Sequence, residues 1–384
     1  MDKNTLHYEY IIIGAGAAGL MLADALGKHP RFKNTSVLLL EKDSKSSNDR
    51  TWCFWEKGSG NFEDILYKTW NTIYFRGKDF DATLNITPYK YKMVRGADFY
   101  QAYLRRIEDY ANINLRTETV LEVKDEGKRV SVSTVDNKYT ATKVFNSIFD
   151  FRSLLEQKKY PVLQQHFIGW FIKTKKAVFD AGRATFMDFS VPQKGNTRFM
   201  YVLPFSENRA LVEYTLFSES LLKKEAYEDA IAEYLREKFA LEDFEIQETE
   251  QGSIPMTCYN FEDHNTANVL HIGTAGGWSK PSTGYTFMNT YRNIHGLISH
   301  MERDNGLKAF TTKNRFWFYD LLLLDILHRT NAKGGLIFES LFKKRSPQLI
   351  FSFLDEETSF LEDLKVIWAC PKKVFIQALL RRLF

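Results

Sequence analysis

Between Tyr10 and Glu41 the chain runs through a short unit that leaves few folds open. Tyr10-Ile11-Ile12-Ile13 is apolar, β-rich and too brief for a helix, so it reads as a strand buried on both faces. Gly14-Ala15-Gly16-Ala17-Ala18-Gly19 follows, Leu20 to Leu26 has helical character, and Ser36 to Glu41 is a second apolar strand ending on an acid. In such a unit Gly14 permits the tight turn, Gly16 lets backbone approach a pyrophosphate, and Gly19 lets helix and strand pack closely. The helix start offers free N–H groups and partial positive charge to the phosphates. Glu41, about 20 residues beyond, is placed to accept both ribose hydroxyl protons. An acid there argues against a 2′-phosphate, so FAD or NAD is expected rather than NADP. A glycine-rich turn without a ligand is the plain alternative, but strand, glycines, helix, strand and acid all stand in order.

The rest of the chain supplies β-type segments and a second glycine turn. A helix is predicted from Ala97 through Tyr110, with Phe99, Tyr103, Ile107 and Tyr110 on one face. Strand-like segments follow at 114–123, 129–135 and 139–146, a late meander of the kind found in FAD-binding Rossmann variants rather than NAD dehydrogenases. Others follow at 165–173, 184–189, 198–203 and 209–217, the last two flanking a hairpin loop at 204–208. A helix is read at 219–239. Val269 to Gly277 reads as a strand and glycine turn, running through Pro281-Ser282-Thr283-Gly284-Tyr285 into a helix with Met288 and Tyr291. A flavin needs such a turn at its ribityl-phosphate end, with Gly273, Gly276, Gly277, Pro281, Thr283, Gly284 and Tyr285 as candidate contacts. An ordinary loop is the alternative.

The expected fold is therefore α/β: a Rossmann-type FAD-binding domain interwoven with a β-rich substrate domain, with a helical C-terminus. Residues 1–150 form the first part of the FAD domain, 151–265 the substrate domain, 266–305 the return segment and 306–384 the helical region. In 384 residues, 52 Lys and Arg face 48 Asp and Glu, a surplus too small to argue for nucleic acid. A 26% charged and 44% hydrophobic chain is not wholesale disordered. Cys53, Cys258 and Cys370 lie far apart, with no metal or disulfide spacing, so a reducing cytosol fits and no metal site is expected. Residues 11–26 mimic a signal peptide but lack a basic n-region, and no apolar run reaches about 18 residues. The 31 Phe, 19 Tyr and 7 Trp make 15% of the chain, which suits a greasy pocket, a membrane-facing surface or a heavy core.

A specific resemblance rests on further blocks. Arg50-Thr51-Trp52-Cys53-Phe54-Trp55, Gln165 to Trp170, Met187-Asp188-Phe189, Arg198 to Phe205, Ala210-Leu211-Val212-Glu213-Tyr214-Thr215, Gly252 to Met256 and Ile272 to Tyr285 follow the glycine start in order. Over about residues 8 to 300 the chain resembles the bacterial flavin-dependent lycopene beta-cyclases. The resemblance implies a redox-neutral isomerisation in which each end of lycopene, an acyclic C40 polyene, closes into a beta-ionone ring, giving gamma-carotene and then beta-carotene. It implies reduced FAD, formed by oxidising NADPH, and an essential glutamate in the Leu-Val-Glu block, which is Glu213 here. A carboxylic acid suits the chemistry, since burial that raises its pKa keeps it protonated near neutrality. Reduced flavin and aromatic faces would stabilise the carbocation.

The other candidates carry two readings each. Asp188 either tunes Glu213 or pairs with Arg198. Arg50 and Arg95 either touch the flavin diphosphate or make surface ion pairs. Trp52 and Trp55 line the polyene site or sit in the core, and Phe199, Tyr201, Phe205 and Phe287 are the other pocket candidates. His166 reads as a structural histidine. The acid reads as a single Glu213 followed by Tyr214, unlike the paired acids of plant cyclases. Gly273-Thr274 stands where flavin hydroxylases show Gly-Asp, and no Asp-Gly dinucleotide precedes it, which disfavours a monooxygenase and leaves direct NADPH contact open.

From Leu364 to Phe384 the chain carries Lys365, Lys372, Lys373, Arg381 and Arg382 with no acid, among Val366, Ile367, Trp368, Phe375 and other apolar residues. Such a tail suits an anionic bilayer, and peripheral attachment at the cytoplasmic face of a membrane is expected. A helix packed on the protein with a solvated basic face is the alternative. No feature fixes an oligomeric state. Two other functions stay open: a flavin-dependent isoprenoid reductase or epoxidase, whose product would differ in mass from its substrate, and a non-catalytic prenyl-lipid carrier, which would purify without flavin colour.

Overall fold

Leu6–Ile13 forms the centre of the first sheet because Ile11, Ile12 and Ile13 lose all contact with water on both faces. In the computed structural model, which describes residues 5–383, this strand pairs in parallel with Val37–Glu41 on one side and Lys138–Asn146 on the other. Ile113–Thr117 extends the parallel side, and Val130–Thr134 and Val120–Asp125 add antiparallel strands. Val269–His271 returns from late in the chain to pair in parallel with Lys138–Asn146. Helices Ala17–Lys28, Gly96–Glu108 and Phe287–Glu302 cover one face, sinking Leu20, Leu22, Phe99, Ile107, Ile294 and Leu297 into a common core. Gly19 is required there: a Cβ would lie 1.8 Å from the carbonyl oxygen of Gly14, so helix and loop touch backbone to backbone.

The second sheet has the order Phe244–Thr257, Val162–Thr174, Arg209–Ser218, Thr197–Ser206, Arg183–Asp188, Thr72–Arg76, Asp81–Asn85. Its two faces follow from the period of two. Leu211 and Phe217 face a core shared with the C-terminal helices Arg315–Thr330, Gly334–Lys344 and Pro347–Leu354. Val212, Tyr214 and Leu216 face the opposite core, beneath Lys224–Phe239 with its Tyr227, Ile231, Tyr234 and Leu235. A three-stranded sheet, Thr51–Lys57, Tyr89–Arg95 and Leu66–Trp70, packs its Trp55, Trp70, Tyr91 and Met93 into the first of these cores.

The α/β class with a helical C-terminus is as expected, but several elements differ from the sequence reading. Within residues 1–150, grouped by sequence with the dinucleotide part, Thr72–Arg76 pairs with Arg183–Asp188 in the second sheet and Asp81–Asn85 pairs with Thr72–Arg76 at its edge. The Thr197–Ser206 strand runs through Pro204-Phe205-Ser206, leaving only Glu207 and Asn208 between the paired strands, and the following helix begins at Lys224 rather than Glu219. Phe244–Thr257 is a 14-residue strand that the sequence does not announce. It lies at the sheet edge, where exposed Glu and Gln residues interrupt the apolar pattern. The last helices are Phe360–Ala369 and Lys372–Leu383, and no helix among the described residues is long and apolar enough to cross a membrane.

Candidate active site

A cavity of ≈ 480 Å³ runs from the start of the first helix to the face of the second sheet. Gly16, Ala17, Ala18, Gly273 and Thr274 form one end; Cys53, Tyr91, Tyr201, Glu213 and Glu250 form the other. Arg50, Trp52, Thr283, Gly284, Tyr285 and Phe287 also line it. Gly16 has open space where a Cβ would stand, and the helix it precedes has neither a side-chain cap nor an acid in its first turn. Its leading N–H groups are thus left for an anion. Gln165 Oε1, Thr283 Oγ1, Tyr285 OH and Thr290 Oγ1 are buried without a partner, and all four residues border this cavity. Unpaired buried polar atoms cost about 1–3 kcal/mol each, so the cavity calls for a polar ligand. The residues fit a dinucleotide that has both a diphosphate and a polar ring.

Not every expected cofactor residue lines this space. Gly14, at φ +91°, and Gly19 shape the loop from behind. Glu41 accepts from the Ala15 amide at 2.5 Å and from the Lys42 and Asp43 amides at 2.9 and 3.1 Å, so it ties the glycine loop to the second strand. Arg50 stands at the cavity beside Asp49, 3.1 Å away. Arg95 does not reach it: its guanidinium pairs with Glu248 and lies over the rings of Tyr67 and Phe171. Gly276, Gly277 and Pro281 border a separate cavity of ≈ 360 Å³. The first two close the turn itself, for a Cβ on Gly276 would meet the His271 carbonyl at 2.3 Å and Gly277 sits at φ +73°.

The acid end holds two carboxyls, where the sequence announced one. Gly169, in the middle strand, is opposite Glu213 on one neighbour and Glu250 on the other. With no side chain between them, the two carboxyls lie close enough for each to act on the other's ionisation. Thr215 donates to Glu213 Oε1 at 2.6 Å, and Thr51 donates to Glu250 Oε2 at 2.7 Å. Burial, then the nearby Glu250 carboxylate, push Glu213 well above the usual carboxylate range. Burial also raises Glu250, against the hydrogen bond from Thr51 that holds it down. Glu250 escaped the sequence reading because Glu245, Gln247, Glu248 and Gln251 beside it make the strand look like a solvated charge run.

Asp188 is not part of this pair. Its oxygens accept from the Ser190 amide at 2.8 Å and the Tyr234 hydroxyl at 2.9 Å, on the helix-covered face of the sheet away from Glu213. Nor does it pair with Arg198, which donates to Asn196 and Tyr214. Trp52 borders the cavity, in contact with Phe99 and Phe287. Trp55, three residues on and on the opposite face of the strand, is core: it stacks on Phe351 at 4.7 Å and donates to Asp355 at 2.7 Å. Phe199, fully buried among Phe189, Tyr201 and Phe217, and Phe205, stacked on Phe171, are also packing residues. His166 is structural, bonded to Ser218 and Tyr227 at 2.6 Å each. Among the described residues no cluster could hold a metal ion.

The family model described as "Lycopene cyclase protein" matches residues 9–380. The lycopene beta-cyclase of Pantoea ananas is 23% identical over 341 residues, which span 81% of this chain and 84% of that protein. The lycopene beta-cyclase of a Paracoccus species is 30% identical over 146 residues, covering 36% and 37%. Among solved structures, a geranylgeranyl bacteriochlorophyll reductase-like protein from Thermoplasma acidophilum superposes with a TM-score of 0.58 at 12% identity, covering 98% and 96% of the two chains. A flavin-dependent brominase does so with a TM-score of 0.56 at 15% identity, covering 98% and 99%. These last two share the fold alone. The chain belongs to the lycopene cyclase family.

Proposed function

We propose that this protein closes the ends of lycopene, or of related acyclic carotenoids, into beta-ionone rings by acid catalysis without net redox change. The observation that carries the reading is a buried carboxyl, Glu213, raised into the protonated form at the far end of a cavity that begins at a dinucleotide cradle. Glu213 would give its proton to the terminal alkene and leave a tertiary cation. The electrons of the next alkene then close the six-membered ring, and loss of a ring proton forms the ring double bond. One proton enters and one leaves. Trp52, Tyr201 and Tyr285 line the path with aromatic faces that attract a cation and keep out the water that would trap it. Gly16, Gly273, Gly284 and Arg50 would hold FAD, which in its reduced form, generated at the expense of NADPH, would supply negative charge against the cation.

The route of the substrate fits a protein resting on a bilayer. Phe360, Leu361, Leu364 and Trp368 are exposed on one helix and Ile376, Leu380 and Leu383 on the next, with Lys365, Lys372 and Lys373 beside them. Behind these helices an apolar cavity of ≈ 90 Å³, bounded by Leu323, Phe338, Phe353, Ile367 and Phe375, reaches Thr283 and Tyr285, which also border the main cavity. We place the polyene entry there. Expression in lycopene-accumulating cells tests the whole reading by pigment chromatography. Wild type should yield beta-carotene of unchanged mass, and Glu213→Gln should slow the reaction by about 10²–10⁴-fold. A product of altered mass would favour a reductase or epoxidase, and colourless protein that leaves lycopene intact would favour a carrier.

A further inference from the structure

We propose that Glu250 is the second catalytic carboxyl of this site: it shares one proton with Glu213 above Gly169, and the pair both delivers and recovers the proton of the reaction. The inference rests on the cyclase reading and deepens it. Val162–Thr174 lies between the strands that carry the two acids, and Gly169 is in register with both. Side chains opposite one another on neighbouring strands project to the same face. Two glutamates flanking one position would ordinarily be held apart by the residue between them, since each strand step is about 4.8 Å. Here that residue has no side chain. A Cβ on it would stand 3.2 Å from Glu250 Cγ and 3.4 Å from Glu213 Cβ, in the space through which the carboxyls meet. Thr215 and Thr51 each occupy one oxygen of their own acid and leave the other acid oxygens for the partner and the cavity.

The surroundings enforce a single shared proton. Cys53, Tyr91, Tyr201 and Tyr285 face the pair, and burial pushes each of them up, so all remain neutral through physiological pH. Glu248 and Arg95 are already paired with each other, so they bring no net charge. Arg50, the cation that borders the same cavity, is paired with Asp49, and two close carboxylates in a dry site retain a proton. When Glu213 gives that proton to the alkene, the pair is left doubly ionised. The ring proton released at the end restores it, so atoms and charge balance with no oxidant or reductant.

Glu250→Gln keeps the size and hydrogen bonding of the side chain and removes its charge; Gly169→Ala instead puts a methyl group between the acids. Two readouts serve both variants, each compared at wild-type flavin content: the pH profile of kcat/KM, and infrared titration of the buried protonated carboxyl, which needs no substrate. With the like charge gone or displaced, Glu213 should lose its proton at a pH lower by about one unit or more, and the alkaline limb of activity should move with it. If Glu250→Gln is too slow for a profile, Gly169→Ala and the infrared titration decide. An infrared titration and limb that stay at the wild-type pH in both folded variants overturn the proposal and leave Glu250 a structural residue. Wild-type protein that leaves lycopene unchanged while the infrared shift still occurs supports the shared proton and overturns the cyclase reading instead.

Discussion

At the scale of single residues, placement in the pleat separates chemistry from packing. Glu213 and Tyr214 are neighbours in sequence, yet one enters the cavity and the other packs under a helix. Thr215, two residues on, returns to the Glu213 side and donates to its carboxyl. That bond favours the ionised form, so Thr215→Val, which keeps the shape, should raise the pH at which Glu213 titrates; infrared titration would read the upward shift. His166 makes a prediction of opposite sense. Burial, then the Arg198 charge, lower it from 6.5 to about 4, and Ser218 and Tyr227 satisfy both ring nitrogens of the neutral form. The unfolded chain therefore binds the extra proton first between these values. Its contribution to stability is complete above pH 6.5 and is lost as pH falls toward 4. In His166→Gln, urea midpoints should fall less steeply across that window.

At the scale of elements, local periodicity identifies strands that are buried on both faces and misses strands that are half in water. Ile11–Ile13 and Leu38–Leu40 are legible because both faces of each strand are apolar. Phe244–Thr257 is not, because only its last residues and Glu250 are buried. The helix after the glycine loop depends on contact with no room for a methyl group. Gly19→Ala should cost on the order of 1–3 kcal/mol and reduce flavin retention, measured as melting temperature and bound-flavin absorbance. The C-terminal helix depends on charge. Arg381 and Arg382, counted by sequence in a free basic face, instead bond Asp325 at 2.9 and 3.1 Å, and Asp325 is buried. Asp325→Asn should loosen Lys372–Leu383 and cost on the order of 2 kcal/mol, below a fully buried pair because the guanidiniums remain partly in water. Faster hydrogen exchange confined to that helix is the expected signature.

At the scale of the whole molecule, the return of Val269–His271 to the first sheet brings the second glycine turn beside the first and puts the cofactor cradle across from the acid pair. Seven exposed large apolar residues stand on the two last helices, over the small cavity that reaches Tyr285. If this surface meets lipid, Leu361→Ser with Trp368→Ser should weaken flotation with anionic vesicles while leaving the fold intact, since both side chains are about 70% exposed. Vesicle binding equal to wild type would count against the proposed entry.

The sequence by itself determined the dinucleotide unit and the α/β class, and its resemblance to a family singled out Glu213 as the candidate acid. Those rest on short-range demands: glycine where backbone must touch backbone, unbroken apolar runs where strands are buried, and one distinctive local block. Tertiary structure alone decided which aromatics are pocket and which are core, turned Asp188 away, and brought Glu250 to Glu213. These depend on strand register, and residues 37 positions apart meet only because a glycine stands between their strands.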